Sequence, residues 1–414
     1  MKVVGFIAEY NPFHQGHKYH LLKSKEISNA DYSIAVMSGS FLQRGEPSFI
    51  DKWTKAKIAI DSGIDLVIEL PFIFSTQSAE SFAYGGVKLL DSLNIVNYLS
   101  FGSELGDLKP LIEISSILSQ EPKYYKEKLK HYLDEGLSFP AARSNALEDY
   151  TYHNNYDLKY NFKNILRGSN NILAIEYLKA LLQIKSNILP IAIKRVGSSY
   201  KDNYISREFS SAAAIRHAIK SNGLDAIKDF VPNETYYWLN KYIKKYGSFN
   251  YINNYEDILI YLIRTMEKDK IKTLVDMETG LENRIIEKGF ISNDINQIIN
   301  SIAAKRYPKT RIQRLLTHLL HNLYENEFNE MYKIYPSYIR VLGSNEKGLT
   351  LLREIKKRSS IPIITKFANY KYLRNEKIEK IISFDKKSTD IFFLGLKGNK
   401  VFSNMDYYTS PYIK

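Results

Sequence analysis

Apolar and polar positions alternate along the first 220 residues in two different periods. Short β-branched or apolar runs predict strands at residues 2–8, 32–37, 66–70, 95–101 and 188–193. Amphipathic stretches between them predict helices at residues 17–27, 52–61, 79–90, 108–118, 171–184 and 211–219. Short strands that alternate with helices are typical of an α/β protein with a doubly wound parallel sheet. Ligands of such sheets bind beyond the carboxyl ends of the strands.

The pattern changes after residue 220. Apolar positions between residues 224 and 324 follow helical spacing throughout, whereas residues 333–414 are mixed. In the mixed region the pattern predicts strands at 361–365 and 390–394 and a helix at 348–357. In the first domain it predicts an inserted helical segment at 123–143 and a loop at 149–163. The predicted domains are therefore an α/β domain at 1–220, a helical domain at 221–325 and a small mixed α/β region at 326–414.

Composition is that of a globular protein, with 44% hydrophobic and 25% charged residues. No stretch approaches the ~18 consecutive apolar residues that a membrane helix needs, and the first residues predict a strand rather than a signal peptide. The chain has no cysteine, which excludes disulfides, thiolate zinc sites and a cysteine acyl-enzyme. We therefore expect a cytoplasmic protein without a membrane partner.

The positive charge is concentrated near the carboxyl end. The net charge is +13, and residues 301–414 hold 22 Lys and Arg against 10 Asp and Glu, a net of +12. A basic segment attached to a nearly neutral body favours a polyanionic partner, because neutralised phosphates release counterions. The alternative is a solvated surface that only keeps the protein soluble.

The strongest chemical signal follows the first predicted strand, where residues 9–17 are Glu-Tyr-Asn-Pro-Phe-His-Gln-Gly-His. The chain is expected to turn at Asn-Pro and to enter a helix near His17. His14 and His17 would then lie at a helix start, where free N–H groups and the helix dipole favour an anion. Gly16 allows a phosphate to approach the backbone. Two imidazoles at this place can stabilise the phosphates of a nucleotide during in-line displacement, and the alternative is a pair of surface or capping histidines.

A second signal precedes the last helix of the first domain. Ser210 and Ser211 stand at the predicted helix start, and Arg216 follows about one turn later. Together they could form a phosphate clamp, although serines at this place are equally typical of an ordinary N-cap.

Weaker candidates lie at other junctions between strands and helices. Gly102 and Arg195 end predicted strands, and Asn170 and Asn171 open a helix, so each could contact a nucleotide; capping and surface charge are the more common roles of such residues. The glycine-punctuated loop at 37–47 could bind the acceptor or a phosphate, or could be a plain connection. Three acids that border the third strand are interpreted as structural or as weak candidates for Mg²⁺: Asp61, Asp65 and Glu69.

The basic region contains one dense cluster of cations around Tyr307. Arg311 and Arg314 are predicted on one helix face, and Tyr307 beside them could stack on a base. Cations interleaved with an aromatic ring suit RNA, and the alternative is a solvated helix start. The candidate RNA-binding residues in this cluster are Lys305, Arg306, Arg311 and Arg314.

The run from Asn11 to His17, taken with the segment from Ser210 to Arg216, resembles the HxGH nucleotidyltransferase superfamily. Eight segments together resemble more closely the bacterial tRNA(Met) cytidine acetate ligase family: GFIAEYNPFHQGH, GSFLQRGEPSFIDKW, IELPF, FGSE, NNILAIEYLKAL, IKRVG, SSAAAIR and KRYPKTRIQRLLTH. The similarity covers essentially the whole chain. It implies a Rossmann-like nucleotidyltransferase fold in the first domain and a tRNA-binding role for residues 301–414, including the four cations around Tyr307.

The resemblance also implies an activity: acetate is activated by ATP, with Mg²⁺ expected, and is transferred to N4 of the wobble cytidine in the anticodon of elongator methionine tRNA. His14 and His17 would be catalytic. The implied ATP site comprises Ile7, Ala8, Glu9, Tyr10, Asn11, Pro12, Phe13, His14, Gln15, Gly16, His17, Lys18, Tyr19, His20, Gly102, Asn170 and Arg195. Two other hypotheses remain open, an adenylyltransferase acting on a small phosphorylated metabolite and an RNA-binding protein with a degenerate nucleotide site.

Overall fold

The structure, a computed structural model, describes residues 1–154, 160, 162–195, 209–398 and 402–414. The strands in these ranges are β1 (Val3–Ala8), β2 (Tyr32–Ser38), β3 (Leu66–Leu70), β4 (Tyr98–Ser103), β5 (Leu189–Lys194), β6 (Ile339–Ser344), β7 (Ile363–Ile364) and β8 (Tyr412–Ile413). They form one sheet in the order β5-β4-β1-β2-β3-β6-β7, with β8 paired to β6. Only the β3–β6 pair is antiparallel among these strands. The predicted α/β class with a parallel-dominated sheet is confirmed.

Helices cover both faces of this sheet in the first part of the chain. They are α1 (Gln15–Ser28), α2 (Lys52–Asp61), α3 (Phe72–Ser75), α4 (Ala79–Ser92), α5 (Leu108–Gln120), α6 (Lys123–Asp134), α7 (Phe139–His153), α8 (Phe162–Ile165), α9 (Ser169–Gln183) and α10 (Ala212–Asn222). Each strand and helix predicted up to residue 220 has a counterpart within a few residues of the predicted bounds.

The middle of the chain is helical, as predicted, and the last part is mixed. The helices are α11 (Asn233–Tyr246), α12 (Glu256–Thr265), α13 (Lys268–Lys272), α14 (Leu281–Ile291), α15 (Ile295–Ile302), α16 (Lys309–His321), α17 (Glu325–Ile334), α18 (Glu346–Arg358), α19 (Glu376–Leu394) and α20 (Met405–Tyr408), with 3₁₀ turns at Leu224–Ile227, Ile252–Tyr255 and Phe367–Leu373. Within the described ranges, none of these helices has the length and apolarity to cross a membrane.

Two local predictions are wrong. The apolar run at 390–394 is the end of helix α19, not a strand, because Asp385, Thr389 and Phe392 are buried at helical spacing and the polar members hide that period. The predicted loop at 149–163 includes the end of α7 and the start of α8, and residues 155–159 and 161 lie outside the described residues. The sequence pattern did not predict strand β6.

Strand β6 joins the carboxyl-terminal segment to the sheet of the first domain. A buried charge cluster reinforces this junction: Lys52 Nζ lies 2.8 Å from Glu69 and 2.8 Å from Asp406, and Arg340 lies 3.2 Å from Glu69 and 2.5 Å from Asp406. Partners of opposite charge offset the cost of burying each ion. The sheet therefore continues past the predicted boundary at residue 326, and the division into three domains stays a prediction.

The neighbouring strands β1 and β4 place the candidate site. Helix α1 follows β1 after a short loop. The parallel strands β5, β4 and β1 are neighbours, so their carboxyl ends lie along one edge of the sheet. Helix α4 packs close to β1 because Gly86 has no side chain: a Cβ there would lie 2.7 Å from Ile7.

Candidate active site

The loop after β1 ends in a helix start formed by two histidines. His14 is the N-cap of α1 in extended conformation, and its carbonyl oxygen accepts the N–H groups of His17 at 2.9 Å and Lys18 at 3.1 Å. The backbone N–H of His14 in turn donates to Nδ1 of His17 at 3.2 Å. The imidazole of His17 thus completes the helix start, as the acid does in a capping box.

This hydrogen bond determines the tautomer of His17. Because Nδ1 accepts a hydrogen bond, the neutral ring carries its proton on Nε2. The rings of His14 and His17 stack with centroids 3.7 Å apart at 25°. Among the described residues, Nδ1 of His14 is buried without a hydrogen-bond partner, and a Cβ at Gly16 would lie 3.0 Å from it.

Burial keeps the three histidines of α1 and its cap uncharged. Desolvation, assisted by Arg195, lowers the pKa of His14 to about 3 and that of His20 to about 4. Desolvation followed by the charges of His14, Arg195 and His20 holds the pKa of His17 well below its usual value. The site therefore presents neutral imidazoles, and its fixed positive charge comes from arginine.

Hydrogen bonds to three other segments brace the loop. Oδ1 of Asn11 accepts the N–H of Phe49 at 2.7 Å, Arg216 donates to the carbonyl oxygen of Asn11 at 2.8 Å, and Thr235 donates to the carbonyl oxygen of Phe13 at 3.0 Å. These bonds hold the loop against α10 and α11, so the histidines sit on a rigid support.

The loop opens on a cavity of about 470 Å³, within the usual range for small-molecule sites. Thirteen of the residues predicted from sequence line it: Ile7, Ala8, Glu9, Tyr10, Asn11, His14, His17, His20, Gly102, Asn170, Arg195, Ser211 and Arg216.

The other predicted residues lie behind or beside the cavity: Pro12, Phe13, Gln15, Gly16, Lys18, Tyr19 and Ser210. Phe13 is fully buried, and Lys18 lies 3.8 Å from Glu234. A Cβ at Gly16 would lie 2.9 Å from the ring of His14, so the space that this glycine leaves holds an imidazole. Ser211 is the N-cap of α10 and accepts the N–H of Ala214 at 3.1 Å, which is the capping role.

The two asparagines of α9 have different surroundings. Asn171 is buried, and its Oδ1 accepts from Ser103 at 2.7 Å and from the N–H of Leu105 at 3.2 Å. Asn170 lines the cavity, and its side chain donates to Glu104 at 2.7 Å. This difference supports the choice of Asn170 over its neighbour as a nucleotide ligand.

The loop at 37–47 contributes more than the sequence indicated. Its residues Leu42, Gln43, Arg44 and Glu46 line the cavity on the side of β2. Glycines are common both in ligand-binding loops and in plain connections, so the sequence alone does not distinguish these two roles. Nothing in the sequence pattern signalled the apolar wall, which includes Ala79, Phe82, Phe101, Ile172, Leu173 and Tyr177.

Helix α16 brings the basic segment to the same cavity, because Thr310 in its first turn is among the lining residues. Thr317 of α16 donates to the carbonyl oxygen of Gly45 at 2.9 Å, and Gln313 donates to Glu46 at 3.3 Å. The rim of the cavity is thus tied to the region that carries the excess positive charge.

The predicted cationic face of α16 is engaged within the protein. Arg311 lies 3.3 Å from Asp276 and 3.2 Å from Glu278, and the buried Arg314 lies 3.1 Å from Asp276. Tyr307 is buried beneath arginine side chains, so the prediction that it stacks on a base is wrong for this conformation. Lys305 and Arg306 are exposed, and Arg306 pairs with Glu278.

The acids considered for Mg²⁺ are structural. Oδ2 of Asp65 accepts from Ser33 and Lys25, Glu69 belongs to the buried charge cluster, and Asp61 accepts from Trp238 at 2.7 Å. The described residues contain no group of three or more His, Asp or Glu that could hold a metal ion.

Comparison with known proteins gives a consistent result. The model of the HIGH Nucleotidyl Transferase family matches residues 1–406. The tRNA(Met) cytidine acetate ligase of Thermoanaerobacter sp. (strain X514) is 45% identical over 417 residues, with 100% of both chains covered, and that of Clostridium perfringens (strain SM101 / Type A) is 43% identical over 415 residues, also with both chains fully covered.

Solved structures agree in fold over the whole length. The crystal structure of Thermotoga maritima TmcAL in its apo form I superposes with a TM-score of 0.96 at 34% identity, and TmcAL bound with alpha-thio ATP superposes with a TM-score of 0.94 at 33% identity. Each comparison covers 100% of this chain and 99% of the other. The chain therefore belongs to the tRNA(Met) cytidine acetate ligase family of HIGH nucleotidyl transferases.

Proposed function

We propose that this protein is an ATP-dependent ligase that converts acetate to acetyl-adenylate and acetylates N4 of the wobble cytidine of elongator methionine tRNA. One observation carries the proposal: His14, His17 and Arg195 line the same cavity as Thr310, the first turn of the basic helix α16. A nucleotide site and a polyanion-binding segment thus share one opening. The relatives named above as tRNA(Met) cytidine acetate ligases support the assignment.

ATP would bind with its phosphates at the start of α1. Nε2–H of His17 would donate there, the ring of His14 lines the same wall, and Arg195 supplies positive charge. Fixed donors that point at a developing charge lower the barrier of phosphoryl transfer without reorganisation. Asn170 and Gly102, at the β4 side of the cavity, extend the nucleotide site.

Acetate needs little chemical help to attack the α-phosphorus. Carboxylic acids of this kind titrate near pH ~4, so acetate is ionised at neutral pH and needs no base. Attack releases pyrophosphate and leaves a mixed anhydride, acetyl-adenylate. The protein contributes positioning and charge stabilisation.

The second step requires a reactive acyl donor, because the exocyclic amine of cytosine is a poor nucleophile. The chain has no cysteine to carry the acetyl group, so direct transfer from the adenylate is the simplest route. An anticodon loop presents an unstacked base at low cost, which allows the wobble cytidine to enter the cavity. We expect the enzyme to act in the cytoplasm, where tRNA is found.

The tRNA would lie across the exposed cations near the start of α16. Lys305, Arg306 and Lys309 are exposed next to Thr310, which lines the cavity. Phosphate contacts from such side chains supply affinity without reading sequence. Arg311 and Arg314 would support this surface from beneath, through their pairs with Asp276.

Mg²⁺ would accompany ATP rather than occupy a site made of protein. The described residues offer no cluster of three metal ligands, and Mg²⁺ in nucleotide enzymes keeps phosphate oxygens and water as most of its ligands. Its contribution would be to neutralise the phosphate charge.

The adenylyltransferase of a phosphorylated metabolite is not favoured. The relatives that match over their full length are tRNA(Met) cytidine acetate ligases. The adenylyltransferase function would also leave the basic segment without a role.

Exchange of labelled pyrophosphate into ATP tests the first half-reaction. We expect exchange only when acetate is present, since acetate must form the adenylate before pyrophosphate can reverse it. Exchange with no dependence on acetate, or none at all with the folded protein, would contradict the proposal.

A further inference from the structure

Glu9 occupies the boundary between two halves of the cavity. The nucleotide half is built from the ends of β1, β4 and β5, and the other half from the loop after β2 and from α16. Strand β1 lies between β4 and β2, and Glu9 directly follows it. Its Oε1 accepts the backbone N–H of Gln43 at 2.7 Å, which turns the carboxylate toward the β2 half.

The carboxylate is held on one oxygen only. The single hydrogen bond of the Glu9 side chain in the described part of the chain is the one from Gln43, and the side chain is half-buried at the cavity wall. The second oxygen, Oε2, is therefore available to a molecule in the cavity.

The charges around Glu9 are arranged to keep it usable as a base. Desolvation raises the pKa of Glu9, and the Gln43 N–H and the cations Arg44, Lys55 and Arg216 oppose that rise. Lys55 donates to the carbonyl oxygen of Glu9 at 3.2 Å. A carboxyl group with a raised pKa takes a proton more readily than an exposed one.

Tyr177 of α9 is one titratable group near this carboxylate, and burial, followed by the charge of Glu9, raises the pKa of its phenol. Tyr177 therefore stays protonated and neutral near Glu9.

Lys55 is a further titratable neighbour, because desolvation lowers its pKa to about 7 against the opposing charges of Glu9, Glu69 and Asp51. Its Nζ donates to the carbonyl oxygens of Ser38 and Gly39 at 2.7 and 2.9 Å as well as to that of Glu9, so its protons are directed at the backbone. Arg44 and Arg216 are donors.

We propose that Glu9 is the general base of the acetyl-transfer step, accepting a proton from N4 of the target cytosine. This inference rests on the function proposed above. It assigns the β2 half of the cavity, with Gln43 and Arg44, to the acceptor base rather than to ATP.

The N4 lone pair attacks the carbonyl carbon of acetyl-adenylate, and a new C–N bond forms. The bond between that carbon and the phosphate oxygen breaks, and AMP leaves with the electron pair. One proton of the amine passes to Oε2 of Glu9 and later to water, so that the product is the neutral acetamide.

A carboxylate at this place is poorly suited to bind ATP itself. Its negative charge would oppose the phosphates, whereas a cytosine amine is a hydrogen-bond donor and matches a free carboxylate oxygen. The two half-reactions should therefore depend differently on Glu9.

The test separates those half-reactions in Glu9→Gln. The amide oxygen can still accept the N–H of Gln43, so the loop should keep its position. Acetate-dependent exchange of pyrophosphate into ATP should stay within about threefold of wild type. Single-turnover transfer from preformed enzyme-bound acetyl-adenylate to tRNA should fall by about 10²–10⁴-fold. The transfer rate of wild type should rise with pH through the ionisation of Glu9, and the variant should lack that rise.

Two further variants make the result decisive. Glu9→Asp keeps a carboxylate but withdraws it by one methylene, so it should slow transfer less than Glu9→Gln and retain the pH dependence. Glu26→Gln is the matched control, because Glu26 is an exposed carboxylate on α1 that pairs with Lys23 at 2.7 Å, and it should keep the transfer rate and pH dependence of wild type.

Equal losses in exchange and transfer for Glu9→Gln would place Glu9 in the nucleotide site and overturn the inference. Transfer by Glu9→Gln with the rate and pH profile of wild type would overturn it as well. An absence of acetate-dependent exchange in the wild type would instead overturn the ligase function, on which the inference depends.

Discussion

The backbone N–H of His14 donates to Nδ1 of His17, and the two rings stack 3.7 Å apart. One hydrogen bond thereby completes the start of helix α1 and directs the proton of the His17 ring to Nε2. The same residue is both a cap and a donor for phosphate, and these two roles can be separated by substitution.

His17→Asn should separate them. The Asn oxygen can replace Nδ1 as the acceptor for His14, but it has no distal donor. We expect acetate-dependent pyrophosphate exchange to fall by about 10²–10³-fold, as when one oxyanion donor is removed, with little change in thermal stability. His17→Ala should lose the same activity and also about 1 kcal/mol of stability, the usual value of a cap.

Both variants should bind tRNA with the affinity of wild type, since the basic surface is unchanged, and His14→Ala should behave similarly. Filter binding and the exchange assay are the measurements. Near-normal exchange in His17→Asn would contradict the role given to Nε2.

Gly16→Ala should displace the ring of His14. The added Cβ would lie 2.9 Å from Cε1 of that ring, closer than unstrained carbon contacts allow. We expect a large loss of exchange activity in a folded protein. Glu26→Ala, on the exposed face of the same helix, serves as the control and should retain activity. Wild-type exchange in Gly16→Ala would show that the position of His14 does not matter.

Reversal of the exposed cations at the start of α16 should weaken tRNA binding. Lys305→Glu with Lys309→Glu should lower affinity and reduce the slope of log K against log salt, by about one for each phosphate contact that is lost. The unfolding temperature should not change, because both side chains are exposed. An unchanged salt slope would move the RNA surface elsewhere.

Lys123→Glu with Lys130→Glu carries the same change of charge on another exposed helix and should affect binding much less. Arg314→Glu, in contrast, should cost about 3 kcal/mol of stability, because it places an acid next to Asp276 in a buried position.

Acid should destabilise the free protein through its buried histidines. Desolvation, as the leading cause in each case, lowers the pKa of His14 and His321 to about 3 and that of His20 and His318 to about 4. Histidines of the unfolded chain titrate near pH ~6.5, so below that pH the unfolded state binds protons that the folded state does not. Stability is therefore complete above ~6.5 and falls as the pH decreases toward the folded pKa values, by about 2 kcal/mol for each histidine at pH ~5.

Asp385 has the opposite effect on stability. Burial raises its pKa to about 7, so on acidification the folded state binds this proton before the unfolded state does. The four histidines together have the larger effect. Thermal unfolding between pH 7 and 5 is the measurement. A melting temperature that stays constant or rises on acidification would contradict this account.

The strand ends that form the site could be predicted from sequence because buried β-branched runs and an Asn-Pro turn mark them locally. The packing of the His14 ring against Gly16 could not be predicted, because it depends on the direction of a side chain in the folded loop. Nor could the pairing of β6 with β3, since it joins residues more than 250 positions apart and leaves no mark in the pattern of either segment.

The cationic face of α16 shows the limit of spacing arguments in a different way. Helical spacing correctly put Arg311 and Arg314 together, but the acids that engage them, Asp276 and Glu278, come from a loop about 35 residues earlier. Charge counts therefore identified the basic region, whereas only the fold shows which of its cations remain exposed.

The most direct test of the central claim is incorporation of labelled acetate into tRNA. The protein is incubated with ATP, labelled acetate and unmodified elongator methionine tRNA, and the tRNA is then digested to nucleosides; a tRNA with uridine at the wobble position is the control. We predict label in N4-acetylcytidine from the wobble position, with release of AMP and pyrophosphate, and no label in the control. ATP consumption without label at that cytidine would contradict the account.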